Sequence, residues 1–68
     1  MKYKYILYLY WNVNDLAPLK IIDSYLDRNI LFDNSKDALH DGIKHLESEF
    51  PETFIKGAFE IRIQPINI

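Results

Sequence analysis

The chain contains no cysteine and only two glycines among its 68 residues. Without cysteine, no disulfide can form and no thiolate can bind a metal ion. Gly42 and Gly57 lie far apart, so the sequence holds no glycine-rich phosphate-binding loop. No apolar run approaches the roughly 20 residues that a membrane-spanning helix needs. We therefore expect no cofactor, no membrane partner and a reducing, cytoplasmic setting.

What the chain does contain is large apolar side chains. Hydrophobic residues make up 49% of it and aromatic residues 15%. A chain of this length buries only about 60% of its unfolded surface, so it needs this supply to fold without cross-links. The length corresponds to one domain, and we predict a single compact α+β domain over residues 1–68.

Residues 3–13 are predicted to form a β-strand, in which alternate residues point to opposite faces. One face carries Tyr3, Tyr5, Leu7, Leu9, Trp11 and Val13, and the other carries Lys4, Ile6, Tyr8, Tyr10 and Asn12. We predict that the first set enters the core. The second set then forms an apolar and aromatic row on the opposite face, where so short a chain has no second layer to cover it.

The segment 14–29 has two interpretations. An apolar stripe at helical spacing, with Asn14 or Asp15 as cap and Pro18 in the first turn, favours a helix. The alternative is a strand from Lys20 to Tyr25 that pairs with the first strand, which its Ile-Ile pair and its tyrosine favour. We predict the helix and retain the strand as the alternative.

Residues 36–50 are predicted to form a second helix. Asn34 caps it, and Pro51 stops it. Leucine and isoleucine recur at helical spacing along one side of this segment. Gly42 lies near that apolar stripe, and we expect it to allow close packing of the helix against the sheet.

The alternation returns in residues 54–64, which we predict to be the last strand. Pro65 cannot donate a ladder hydrogen bond, so it marks the end of pairing or a sheet edge. The simplest architecture is α+β: a small antiparallel sheet in which the terminal strands are paired, with one or two helices packed on one face. The predicted core contains Trp11, Leu39, Ile43, Leu46 and Phe59.

Catalytic and metal-binding patterns are incomplete. Asp41 and His45 are four residues apart, on one helix face, and His40 lies nearby. A zinc site normally needs three or four ligands, and no other segment supplies histidine or cysteine. The serine and threonine hydroxyls lie in no nucleophile motif. We predict solvated histidines on a helix surface, no metal site and no enzymatic activity.

The predicted function is binding to a protein or to a second copy of the chain, because tyrosine and arginine are enriched in interface cores. An alternative is single-stranded nucleic acid, stacked on the aromatic side chains and held by lysine and arginine, with Lys56 among them. A further alternative places the partner on the acidic helical side, around Asp23, Asp27, Asp37 and Asp41. The predicted binding surface consists of Lys4, Ile6, Tyr8, Tyr10, Arg62 and Gln64.

In size and in its lack of motifs, the chain is similar to small stand-alone proteins encoded by phages and mobile elements, such as anti-CRISPR inhibitors and antitoxins. The resemblance is one of type and covers no motif. It implies a stoichiometric inhibitor or adaptor that acts by occluding a larger target.

Overall fold

The computed structural model describes residues 1–68 and shows an α+β fold. Three strands, β1 (Lys2–Leu9), β2 (Lys20–Asp23) and β3 (Phe59–Ile66), form one antiparallel sheet in the order β2-β1-β3. The terminal strands are therefore hydrogen-bonded neighbours, which confirms the predicted architecture. Three helices connect β2 to β3, and none combines the length and apolar character needed to cross a bilayer. They are α1 (Ser24–Arg28), α2 (Ser35–Glu49) and α3 (Pro51–Lys56).

The core lies on one face of the sheet, where α2 covers the odd-numbered residues of β1. Tyr5 and Leu7 are fully buried there, as the alternation predicts. A Cβ atom added to Gly42 of α2 would lie 3.3 Å from Cγ of Tyr5, so the predicted close approach of helix and sheet is confirmed. The core consists of Tyr5, Leu7, Leu9, Ile22 and Leu46, with Phe32, Phe50, Phe54, Phe59, Ile61 and Ile63 packed at its margin.

The predicted core is wrong at Trp11 and only partly right along α2. Trp11 is 67% exposed, because β1 ends at Leu9. Leu9 lies opposite the first residue of β2 and the first residue of β3, so beyond it the chain has no partner strand to maintain the alternation. On α2, Leu46 is fully buried, but Ile43 is only half-buried and Leu39 is 39% exposed.

The predicted helix over residues 14–29 is wrong except at Ser24–Arg28, and the alternative strand, predicted from Lys20 to Tyr25, is confirmed for Lys20–Asp23. Two consecutive β-branched residues suit a strand, and β1 offers them a free edge. Asp23 then ends the strand and begins α1, because its side chain accepts hydrogen bonds from the main-chain N–H groups of Tyr25 and Leu26. Asn29, in the left-handed conformation at φ 55°, closes this short helix.

The predicted helix over residues 36–50 is confirmed to within one residue at each end. The strand predicted for residues 54–64 begins later, at Phe59, and continues through Pro65 to Ile66. Pro51 explains the difference, because proline is favoured in the first turn of a helix and here begins α3. Gly57, at φ 71°, ends α3 in a conformation that glycine adopts without strain.

Candidate interaction surface

The second face of the sheet carries no residue of the core. The ladder between β1 and β3 places Lys4 opposite Gln64, Ile6 opposite Arg62 and Tyr8 opposite Glu60. Side chains directly opposite in a ladder share one face, so the register brings the predicted surface residues together. We call this surface the open sheet face; its strand residues are Lys4, Ile6, Tyr8, Ile21, Asp23, Glu60, Arg62 and Gln64. Tyr10 follows directly after β1, where its main-chain N–H still donates to the carbonyl of Ala58, and we include it at the end of this face.

The centre of the open sheet face is an arginine packed on a tyrosine. The guanidinium carbon of Arg62 lies 5.1 Å from the ring centroid of Tyr8. Arg62 Nε also donates a hydrogen bond of 3.0 Å to Glu60, and this carboxylate raises the pKa of the guanidinium further. The arginine is therefore held in place, and it adds a cation–π contact to the apolar surface of the ring.

Lys4 is paired rather than free. Its Nζ lies 2.6 Å from Oδ2 of Asp23, and both side chains are only 12% exposed. Burial acts to raise the pKa of Asp23, but hydrogen bonds from Lys4 and from the main chain of Leu26 and Tyr25 outweigh it and hold the pKa below its usual value. This margin of the open sheet face therefore offers little net positive charge to a partner.

Lys56 lies outside the open sheet face. The expectation that it joins Lys4 and Arg62 on the sheet is wrong, because residues 51–56 are helical. Its Nζ lies 5.6 Å from the ring centroid of Trp11. The loop 10–19, which joins β1 to β2, exposes three further apolar side chains, those of Val13, Leu16 and Leu19. Sequence alternation assigned Trp11 and Val13 to the core and so missed this exposed apolar loop.

A polar network lies on the core side of the sheet; the side chains of Tyr5 and His45 are buried in it, whereas those of Arg28, Asp41 and Glu49 reach solvent. The Tyr5 hydroxyl accepts a hydrogen bond from Arg28 and lies 2.9 Å from Nδ1 of His45. Nε2 of His45 is 3.0 Å from the carboxylate of Glu49. Arg28 also donates to Asp41, at 3.1 Å. A carboxylate can only accept, so a neutral His45 donates from Nε2 to Glu49 and accepts at Nδ1, which lies within hydrogen-bond distance of the Tyr5 hydroxyl and of Arg28.

The prediction that both histidines are solvated is wrong for His45, whose side chain is 7% exposed. The signal in the sequence was Tyr5 itself. A tyrosine that points into a core needs a partner for its hydroxyl, and here α1 supplies Arg28 and α2 supplies His45. Burial raises the pKa of the Tyr5 hydroxyl, although Arg28 opposes part of that shift.

The pocket beside this network has a volume of about 350 Å³. Three of its lining side chains already have polar partners: Arg28 pairs with Asp41, outside the pocket, and His45 pairs with Glu49. No group of three or more histidine, aspartate or glutamate side chains is placed to hold a metal ion. The pocket is lined by Lys20, Ile21, Ile22, Asp27, Arg28, His45, Glu49 and Phe50.

Comparisons with protein-family models, curated proteins and solved structures find no match for this chain. Function is therefore inferred from the geometry of its surfaces.

Proposed function

We propose that this chain is a small non-enzymatic protein-binding domain and that its binding surface is the open sheet face. The observation that carries the proposal is the packing of Arg62 on Tyr8 at the centre of a face that contributes nothing to the core. Ile6 lies directly opposite Arg62 in the ladder and adds apolar area. Tyrosine and arginine surrounded by aliphatic surface are the typical composition of binding hot spots.

The proposed mode of action is occupation of a partner's surface. The polar groups around Tyr5 are hydrogen-bonded to one another, and the open sheet face contains no nucleophile paired with a base. A domain of this kind changes the activity of a larger protein by covering part of it. A stoichiometric inhibitor or adaptor, of the type found in phages and mobile elements, fits this description.

Binding of single-stranded nucleic acid remains the alternative proposal, because stacked bases would suit Tyr8 and Tyr10. Few unpaired positive charges on the open sheet face could contact the phosphates of a nucleic acid. Lys4 is paired with Asp23 and Arg62 with Glu60, and Lys56 lies on α3. Affinity for nucleic acid depends mainly on lysine and arginine contacts to phosphates. We therefore favour a protein partner.

The experiment compares three forms of the tagged protein in affinity capture from a cell lysate: wild type, Tyr8→Ala with Tyr10→Ala, and Tyr25→Ala. Tyr25 is a matched control because it is an exposed tyrosine on α1 rather than on the sheet. A protein captured by wild type is then purified and its affinity measured for all three forms. We expect the double variant to bind at least about thirtyfold more weakly and the control to bind normally.

Two outcomes contradict the proposal. Equal binding by a folded double variant would move the site to the acidic helical side, around Asp37 and Asp41. Capture that disappears after nuclease treatment, or that weakens steeply with salt, would favour nucleic acid. Circular dichroism of each variant establishes that the fold is retained.

A further inference from the structure

The outer edge of β3 carries main-chain groups that nothing in the chain pairs. β3 lies at the end of the sheet and pairs with β1 alone. On β1, odd-numbered residues direct their main chain toward the β2 side: Tyr3 exchanges two hydrogen bonds with Phe32, and the Leu9 carbonyl accepts one from Leu19. Even-numbered residues of β1 must then bond to β3.

The alternation of hydrogen-bonded pairs along β1 and β3 identifies the main-chain groups of β3 that have no partner. Glu60, Arg62 and Gln64 lie opposite even-numbered residues of β1, so their main chain faces inward. The N–H and C=O groups of Phe59, Ile61 and Ile63 consequently point outward. Pro65 has the same phase but no N–H group, so the free edge ends there. An unpaired edge of this kind is a template for a further strand.

We propose that a second copy of this chain pairs with this edge, β3 antiparallel to β3, about a two-fold axis at Ile61. In this register Ile61 pairs with Ile61 of the second copy, and Phe59 pairs with Ile63 of the second copy. Every outward group from Phe59 to Ile63 then has a partner. A register shifted toward Pro65 would place proline where a donor is needed.

The charges on β3 select the same register. With the axis at Ile61, Glu60 lies opposite Arg62 of the second copy, and the two-fold axis repeats this pair. An axis at Glu60 would set two glutamates directly opposite each other, and an axis at Arg62 would set two arginines opposite. Opposite charges stabilise a cross-strand pair, and like charges destabilise it. Glu60 and Arg62 are both exposed and already within 3.0 Å of each other, so they can exchange partners between copies.

The apolar side chains at this edge also lack a neighbour. Phe59, Ile61 and Ile63 pack against the core, yet each remains partly exposed, whereas Tyr5 and Leu7 in the central strand are fully buried. Pairing of two copies would place Phe59 beside Ile63 of the second copy and cover part of this area. The result is a continuous six-stranded sheet in which the open sheet faces of both copies lie on the same side.

The first test measures self-association by analytical ultracentrifugation over a range of concentrations. Wild type is compared with Glu60→Arg, with Arg62→Glu and with the double variant Glu60→Arg/Arg62→Glu. Either single change sets like charges opposite each other at both repeats, so we expect dimerisation to weaken about thirtyfold or more. The double variant restores opposite charges and should dimerise as wild type does. A mixture of the two single variants should form a heterodimer.

A second test measures whether the main-chain N–H groups at the outer edge of β3 become hydrogen-bonded in the dimer. Amide hydrogen exchange of Ile61 should slow as the concentration of wild type rises, because its N–H becomes bonded in the dimer. The amide of Arg62 faces β1 and is the internal control, since it is protected in monomer and dimer alike. A wild type that stays monomeric would overturn the proposal. So would a dimer that neither single variant weakens, or one in which exchange of Ile61 is unchanged.

Discussion

Asp23 makes two different connections through its two carboxylate oxygens: Oδ2 accepts a hydrogen bond from Lys4 on β1, and Oδ1 caps α1. Asp23 therefore neutralises the charge of Lys4 at the margin of the open sheet face and also caps the first turn of α1. The pair is largely buried, so its loss affects the fold as well as the surface.

Asp23→Asn should lower the free energy of unfolding at pH 7 by about 2 to 3 kcal/mol, because asparagine retains the cap but leaves Lys4 buried without its charge partner. Asp33→Asn is the matched control, since Asp33 pairs with Lys2 on the same strand but is 80% exposed. We expect a much smaller effect there. Urea unfolding of both variants measures the difference, and equal effects would contradict the importance of burial.

The effect of Asp23→Asn should depend on pH. The pKa of Asp23 is lower in the folded protein than in the unfolded chain, so its stabilisation is complete above the unfolded value of about 3.9. It is lost as the pH falls through the folded pKa. The difference in stability between wild type and variant should therefore shrink below about pH 4. A difference that is constant from pH 7 to pH 2 would rule out this linkage.

Leu46→Ala should lower the free energy of unfolding much more than Trp11→Ala does, although tryptophan is the larger residue. Leu46 is fully buried, and its truncation should cost about 2 to 5 kcal/mol. Trp11 is 67% exposed, and its truncation should change stability by about 0.5 kcal/mol or less. Thermal unfolding followed by circular dichroism compares them. A large loss in the tryptophan variant would place that side chain back in the core.

Gly42→Ala should destabilise the protein although alanine is the better helix former. The added methyl would lie 3.3 Å from Tyr5, whose ring cannot shift because its hydroxyl is held by Arg28 and His45. Overpacking costs about 1 to 3 kcal/mol, and because the ring is held we expect the cost to outweigh the propensity gain of about 1 kcal/mol. Ser48→Ala is the control on the exposed side of α2, where only the propensity gain applies. A more stable Gly42→Ala variant would show that the ring can yield.

Tyr5→Phe should cost about 1 to 2 kcal/mol near pH 7, because the hydroxyl bonds both Arg28 and His45. Burial raises the pKa of Tyr5 in the folded protein above its ordinary value of 10.0. Stability therefore falls as the pH rises past the unfolded pKa, where the unfolded chain releases the proton first. The variant lacks this contribution, so its stability should fall less steeply between about pH 9 and pH 11. Parallel pH profiles would contradict the shift.

The two faces of β1 follow from the sequence alone, and so does the pairing of the terminal strands. Alternate residues must point to opposite sides of a strand, so placing Leu7 and Leu9 in the core puts Ile6 and Tyr8 on the other side. The sequence also predicts the start of α2, because the asparagine cap at Asn34 acts on main-chain groups only a few residues away.

Only the tertiary structure decided where each strand ends and which charges are paired. Trp11 continues the alternation of β1, yet it is exposed because neither neighbouring strand extends that far. Lys4 forms an ion pair with Asp23 and so offers no unpaired charge to a partner. Asp23 is distant in sequence and becomes a neighbour of Lys4 only because β2, rather than a helix, forms beside β1. Local patterns determine the direction in which a side chain points, whereas its neighbours depend on contacts between distant segments.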